Sequence, residues 1–232
     1  MKIKTKELKK FLNKVAMTGE VLINACVLDF KEDGLNINVN CETKQARAVG
    51  VLKKEAFEKY DVIGKVGVND FSKIIKILER FGDMIIVSKE GNLLTIKGDS
   101  KTVNIEVADE NLLEEDVVPP KLEFADAFEI KAIKLDDIFK DVQMNTDAEI
   151  IITTEPKLVK FTNTGKFKFM HPITSEICKG GISCKFGKPL IDALSNLDGM
   201  LSVSVGDNYP MKVIEKGENS IVTLIVAPRQ EE

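Results

Sequence analysis

One strand–helix stretch occurs twice in this chain, and that duplication limits the folds open to it more than any other feature. Val66–Met84 reads as a short strand, a helix capped by Asn69 or Asp70, and a stop at Gly82. Phe71, Ile74, Ile75, Leu78 and Phe81 fall at helical spacing, with Lys73, Lys76 and Arg80 on the other side. The pattern returns as Gly181-Ile182-Ser183, then Leu190, Ile191, Leu194 and Leu197, then Gly199-Met200-Leu201. A single offset pairs Ile75 with Ile191, Leu78 with Leu194, Met84 with Met200 and Asn92 with Asn208. The first helix has an echo too. Ile3-Lys4 before Leu8, Phe11, Leu12 and Val15 matches Ile130-Lys131 before Leu135, Ile138, Phe139 and Val142, and the second copy is shorter between its helices. A solenoid would keep a short fixed period, so this is one duplication of a mixed unit.

The surrounding segments read as strands. Leu35, Ile37 and Val39 alternate with Asn36, Asn38 and Asn40 after the turn Glu32-Asp33-Gly34. Further strands are expected at Met1–Thr5, Val21–Phe30, Lys44–Lys53, Asp83–Ser88, Leu93–Lys97 and Lys101–Val107. In the second half they are expected at Phe128–Ala132, Ala148–Thr154, Leu158–Asn163, Gly165–Met170, Glu176–Lys185, Leu201–Val205, Met211–Glu215 and Ile221–Val226. Helices are expected at Lys6–Met17, Leu135–Met144 and Lys188–Leu197 besides the central one. The fold class is therefore α+β, two duplicated domains of mostly antiparallel sheet with two helices each. Acidic residues around Leu112-Leu113, then Val117-Val118-Pro119-Pro120, mark a linker. The expected division is residues 1–108, a connecting loop over 109–125, and residues 126–232.

Chemistry is sparse. His171 is the only histidine and precedes Pro172 in an expected loop, so no Ser/His/Asp set forms without it. Gly64-Lys65-Val66-Gly67 and Lys179-Gly180-Gly181 lack phosphate-loop spacing. Asp136 and Asp137 are adjacent on a helix and face different ways. Cys26, Cys41, Cys178 and Cys184 show no metal-finger spacing and read as small core residues of a reduced protein. No catalytic residue, cofactor or metal ion is expected. The lysine-rich start has no apolar run behind it, and no apolar stretch is long enough to span a bilayer, so a cytoplasmic, nucleoid-associated protein without a membrane partner is expected.

With a net charge of −4, any nucleic-acid role needs cations gathered on one face. The helices supply them: Lys6, Lys9, Lys10 and Lys14 on the first, and Lys73, Lys76 and Arg80 on the second. Lys134, Lys140, Lys185 and Lys188 lie on or near the others, diluted by Asp136, Asp137, Asp141 and Asp192. Lysine commonly solvates the outer face of an amphipathic helix, and that reading suffices for any one helix. Lysine on all four suits a single surface against the backbone of duplex DNA, because phosphate contact carries no sequence information. No aromatic platform interleaves with them, which disfavours single strands.

The closing segment, Gly206-Asp207-Asn208-Tyr209-Pro210-Met211-Lys212-Val213 and then Leu224-Ile225-Val226-Ala227-Pro228-Arg229-Gln230-Glu231-Glu232, resembles the end of DNA sliding clamps of the PCNA family, archaeal type. Val66-Gly67-Val68-Asn69, the helix beginning Leu8-Lys9-Lys10, and Pro120-Lys121-Leu122-Glu123-Phe124 resemble that family in the same order. The resemblance implies a ring of three two-domain subunits, helices inward around duplex DNA, that tethers DNA polymerase, a clamp loader and other clamp-motif proteins. It implies DNA-facing roles for Lys6, Lys9, Lys10, Lys14, Lys73, Lys76, Arg80, Lys134, Lys140 and Lys188. Ring closure would pair the edge strand bearing Lys101, Val103, Ile105 and Val107 with the strand near Ser175–Cys184 of the next copy, through Ile177, Lys179 and Ile182. Partner motifs would dock at Val117, Val118, Pro119, Pro210, Ile225, Val226, Ala227 and Pro228. Asn40, Gln45 and Arg47 stand where the family has apolar side chains; they either line this pocket or are solvated outward positions. The alternative function is a divergent clamp-like subunit that works in a mixed ring or sequesters partners without encircling DNA. An enzyme on this scaffold lacks a catalytic set.

Overall fold

Alternating apolar and polar residues set the strands, and stripes of Leu, Ile, Val and Phe set the helices. A computed structural model describes residues 1–113, 122–146 and 149–229. The chain opens with β1 (Lys2–Lys4), α1 (Thr5–Ala16), β2 (Cys26–Lys31), β3 (Gly34–Asn40), β4 (Ala46–Lys53), β5 (Phe57–Lys59) and β6 (Gly64–Val68). It continues with α2 (Phe71–Leu78), β7 (Met84–Glu90), β8 (Leu93–Lys97) and β9 (Thr102–Glu106). The same plan follows as β10 (Asp126–Lys131), α3 (Ala132–Gln143), β11 (Ile150–Glu155), β12 (Leu158–Asn163), β13 (Met170–Thr174) and β14 (Ser183–Phe186). It closes with α4 (Lys188–Leu194), β15 (Met200–Val205), β16 (Met211–Lys216) and β17 (Ser220–Val226). No described strand of the second half matches β5, which accounts for the shorter spacing between its helices.

Three antiparallel sheets result among the described residues. The largest runs β10-β15-β16-β17-β4-β3-β2-β6 and takes strands from both halves. Its seam is β17 on β4, in register from Ser220–Leu52 to Val226–Ala46. The others run β5-β1-β7-β8-β9 and β13-β12-β11-β14. Buried apolar residues of the large sheet share one face, among them Leu35, Ile37, Ala48, Leu52, Val203, Val213 and Leu224, and the helices cover it. Leu8, Phe11, Leu12 and Val15 of α1 are all buried. Gly50 lets that helix come close, since a Cβ there would lie 2.7 Å from Val15 Cγ2. Burial pushes the Cys26 and Cys184 thiols up to about 12, as expected of core residues.

Several boundaries differ from the sequence reading, each for a local reason. The expected Val21–Phe30 strand begins only at Cys26, because Gly19–Val21 forms a 3-10 turn. The central helix stops at Leu78, four residues short of Gly82 in sequence number, and a tightened turn carries the chain through Arg80 N–H to Ile77 O. Asp70, not Asn69, is its cap, accepting from Lys73 N–H at 2.9 Å. Of the expected strand Gly165–Met170, only Met170 is strand, as the first residue of β13. Asn145 Oδ1 accepts from Phe167 N–H and Asn163 Oδ1 from Phe169 N–H, so side chains replace a ladder there. His171 accordingly lies on a strand, β13, with Nε2 2.8 Å from Asp141 Oδ2 of α3.

Most of Glu176–Lys185 is loop as well. Asp126, 4% exposed, accepts from Lys179 N–H at 2.9 Å, Gly180 N–H at 2.8 Å and Ala127 N–H at 2.8 Å. Burial works to raise this carboxyl, but these donors, with Thr154, hold it down to about 2. Just ahead of the expected linker Ala108 bridges Gly67, and within it Glu110–Leu112 forms a 3-10 turn. Residues 114–121 lie outside the described residues.

Candidate functional site: a helix layer and two open sheet edges

The helices of both halves adjoin. α1 packs against α2, β4 and β17; α4 packs against β17 and the Gly19–Val21 turn; α3 packs against β10. Across the halves, Asn196 Nδ2 donates to Asn13 O at 2.9 Å and Thr18 Oγ1 to Asp192 O at 2.8 Å. Ends of α3 and α4 border a common cavity of about 560 Å³.

This layer sorts the expected DNA-facing cations into three groups. Lys6, Lys73, Lys76, Arg80 and Lys134 are exposed, and no ion pair holds them among the described residues. Lys9, Lys10, Lys140 and Lys188 are tied to acids: Lys9 to Glu79 at 3.0 Å, Lys10 to Asp198 at 2.8 Å, Lys140 to Asp137 at 3.7 Å, and Lys188 to Asp192. The Asp198 hydrogen bond raises the Lys10 amine above its ordinary value. Lys14 corrects the sequence reading. It is 3% exposed and bonded to Glu215 and Asp198, so it belongs to the packing between halves and not to a solvent-facing lining. Nothing in local periodicity marks this, because Glu215 is 201 residues away.

The expected partner-motif residues fall into two neighbouring groups. Asn40, Arg47 and Ile225 are cross-strand partners in one row on the outer face of the large sheet. Arg47 Nε and Nη2 both donate to Asn38 Oδ1, at 3.0 and 2.8 Å. Around the sheet's end, Gln45, Ala227 and Pro228 line the cavity, and Gln45 O accepts from Ala227 N–H at 2.8 Å. Pro210 lies just ahead of β16, whose first residues Met211 and Lys212 pair with Val226 and Ile225. Val226 does not join them. It is fully buried on the opposite face of β17 from Ile225, as strand alternation requires. Val117, Val118 and Pro119 lie outside the described residues.

The expected edge residues Val103 and Ile105 lie on β9, with Lys101 and Val107 flanking it, and β9 is an open edge of its sheet. Their expected counterparts are displaced. Ile177 and Lys179 lie on the loop captured by Asp126, and Ile182, 7% exposed, exchanges backbone and side-chain bonds with Thr154. The open edge of that sheet next to β12 is instead β13. Among the described residues no cluster of three or more His, Cys, Asp or Glu could hold a metal, and no helix is long and apolar enough to cross a membrane.

No family model matches the sequence, nor does any curated protein. Solved structures do match the fold. The chain is similar to A. fulgidus PCNA, solved with the C-terminal region of FEN-1 bound, at a TM-score of 0.87 and 19% identity, over 100% of this chain and 98% of that one. It is similar to PCNA from Entamoeba histolytica at 0.82 and 17%, over 99% and 98%. It is also similar to a structure of the PCNA2-PCNA3 complex from Sulfolobus tokodaii at 0.80 and 15%, over 99% of each chain. Over its whole length, then, this α+β chain has the fold of the PCNA sliding clamps.

Proposed function

We propose that the chain is a DNA sliding clamp subunit: three copies close into a ring around duplex DNA and tether DNA polymerase, a clamp loader and other clamp-motif proteins. Residues 1–108 and 126–232 serve as the two clamp domains, with 109–125 connecting them. One observation carries this reading. The large sheet is completed within the chain by β17 meeting β4, while β9 and β13, which hold the same places in the opposite halves, are left open. A second copy placed head to tail would repeat the internal seam between chains, and such a contact closes when its rotation does. Lys6, Lys73, Lys76, Arg80 and Lys134 provide a modest cationic lining, which suits sliding better than a tight grip. That a protein of the same fold binds a FEN-1 segment supports partner docking in general; the Asn40, Arg47 and Ile225 row with the neighbouring Gln45, Ala227 and Pro228 is the proposed place for it.

The test is topological. Loaded on nicked circular DNA, the protein is retained, and linearising the circle releases it; equal retention on both forms contradicts encirclement. A second reading, a subunit of a mixed ring, draws on the acids that occupy Lys9, Lys10, Lys14 and Lys188. A persistent monomer in dilute solution favours it, and a self-trimer argues against it.

A further inference from the structure

The two copies of the repeat allow the contact between subunits to be read residue by residue. In the β8–β9 hairpin Gly98 N–H donates to Lys101 O, and in the β16–β17 hairpin Gly217 N–H donates to Ser220 O. Thr102, Asn104 and Glu106 therefore take the places of Ile221, Thr223 and Ile225. Val107 N–H donates to Asn92 O, so alternate residues of β9 bond to β8, and Thr102, Asn104 and Glu106 turn their backbone groups to the open side. On the other half, the hairpins β2–β3 and β11–β12 have matching two-residue turns, Glu32-Asp33 and Pro156-Lys157. Leu35–Leu52 then corresponds to Val159–Ile173, and Ile37–Gly50 to Phe161–His171. Val51 and Val49 correspond to Pro172 and Met170. The internal seam pairs Ile221 with Val51 and Thr223 with Val49. Carried to the open edges, it pairs Thr102 with Pro172 and Asn104 with Met170.

Pro172 is the discordant residue. It has no N–H, so the β12–β13 ladder is closed by the flanking pairs Phe161–His171 and Val159–Ile173. The Pro172 backbone faces outward, where a joining strand needs a donor. Where Val51 and Ile221 can exchange two bonds, Thr102 and Pro172 can form only one. We propose that Pro172 is a built-in weak point of the joint between β9 of one copy and β13 of the next, removing from each contact the backbone hydrogen bond that the matching pair, Val51 and Ile221, can make inside the subunit. The inference rests on the ring reading and adds to it the residue that sets ring lability. Proline on an edge strand is a known device against indiscriminate pairing, and here it tempers a pairing that still occurs.

Sedimentation mass against concentration tests it in the full-length chain, with Pro172→Val and Met170→Pro beside the parent. Restoring the donor should let Pro172→Val stay assembled to a concentration about fivefold lower per joint. Met170→Pro, which deletes the next outward donor, should dissociate at a higher concentration than the parent. If the parent assembles and Pro172→Val dissociates at the same or a higher concentration, the inference is overturned and the ring reading stands. If Pro172→Val fails to fold, as its denaturation curve would reveal, Met170→Pro decides: association equal to the parent's overturns the inference. Monomers of all three chains at every concentration overturn both this inference and the ring of identical copies.

Discussion

Lys14 on α1 and Glu215 on β16 form an ion pair buried between the two halves of the chain, with Asp198 3.1 Å from the same ammonium group. Each partner lies on an element of a different repeat, so the pair links halves already joined at the β17–β4 seam. Removing one member strands a charge out of water. Lys14→Met should cost about 3–5 kcal/mol in urea unfolding, whereas Lys14→Met with Glu215→Leu should recover most of it. A single variant as stable as the parent would contradict the burial.

The same residue supplies a control for DNA binding. Replacing Lys73, Lys76 and Arg80 by Ala should flatten the dependence of log affinity on log salt by about 0.9 for each phosphate left without its cation. A folded Lys14→Met/Glu215→Leu chain should keep the parent's slope. If the triple variant keeps it too, those three side chains do not meet DNA.

Asp126 makes stability depend on acid. Its carboxyl, held at about 2, is depressed from the ordinary value near 3.8, so the charged form is favoured by folding. That stabilisation is complete above about pH 5 and is lost as pH falls towards 2, and a shift of this size corresponds to about 2 kcal/mol. Asp126→Asn should lower the urea midpoint at neutral pH and remove part of the acid-side slope between about pH 5 and 2. Parallel pH profiles for the two proteins would show that Asp126 is not a source of that slope.

In the proposed docking role, Arg47 bears on partner choice. Its guanidinium is engaged by Asn38 on the outer face, beside Ile225, so a motif docked there as proposed meets a polar group in place of an apolar wall. Arg47→Leu should strengthen binding of a polymerase-derived clamp-motif peptide several-fold in calorimetry, since an apolar contact of this kind contributes about 1–2 kcal/mol. Equal or tighter binding by the parent would place the motif elsewhere or give Arg47 a direct polar role in holding it.

Much of this was legible from residue order because it is encoded locally. The alternation at Leu35, Ile37 and Val39 is a strand period, the stripe Leu8, Phe11, Leu12 and Val15 is a helix period, and the matched offsets disclose the repeat. What escaped depends on partners far along the chain. Lys14 sits at the margin of an apolar stripe, and only the folded sheet brings Glu215 to it. The loops at 164–169 and 175–182 read as strands because their side chains are strand-like. Their backbones are nonetheless claimed by Asn145, Asn163 and Asp126. Val226 carries a simpler lesson: two adjacent strand residues cannot both face one pocket, so of Ile225 and Val226 only one was ever available to it.

The seam between Ala46–Leu52 and Ser220–Val226 also bears on how the proposed ring would admit a duplex. In that ring, backbone bonds crossing from one repeat to the other would resist a swivel at the middle of each subunit. A gap wide enough for the duplex would then have to appear between neighbours, and that one joint would set the effort asked of a loading machine.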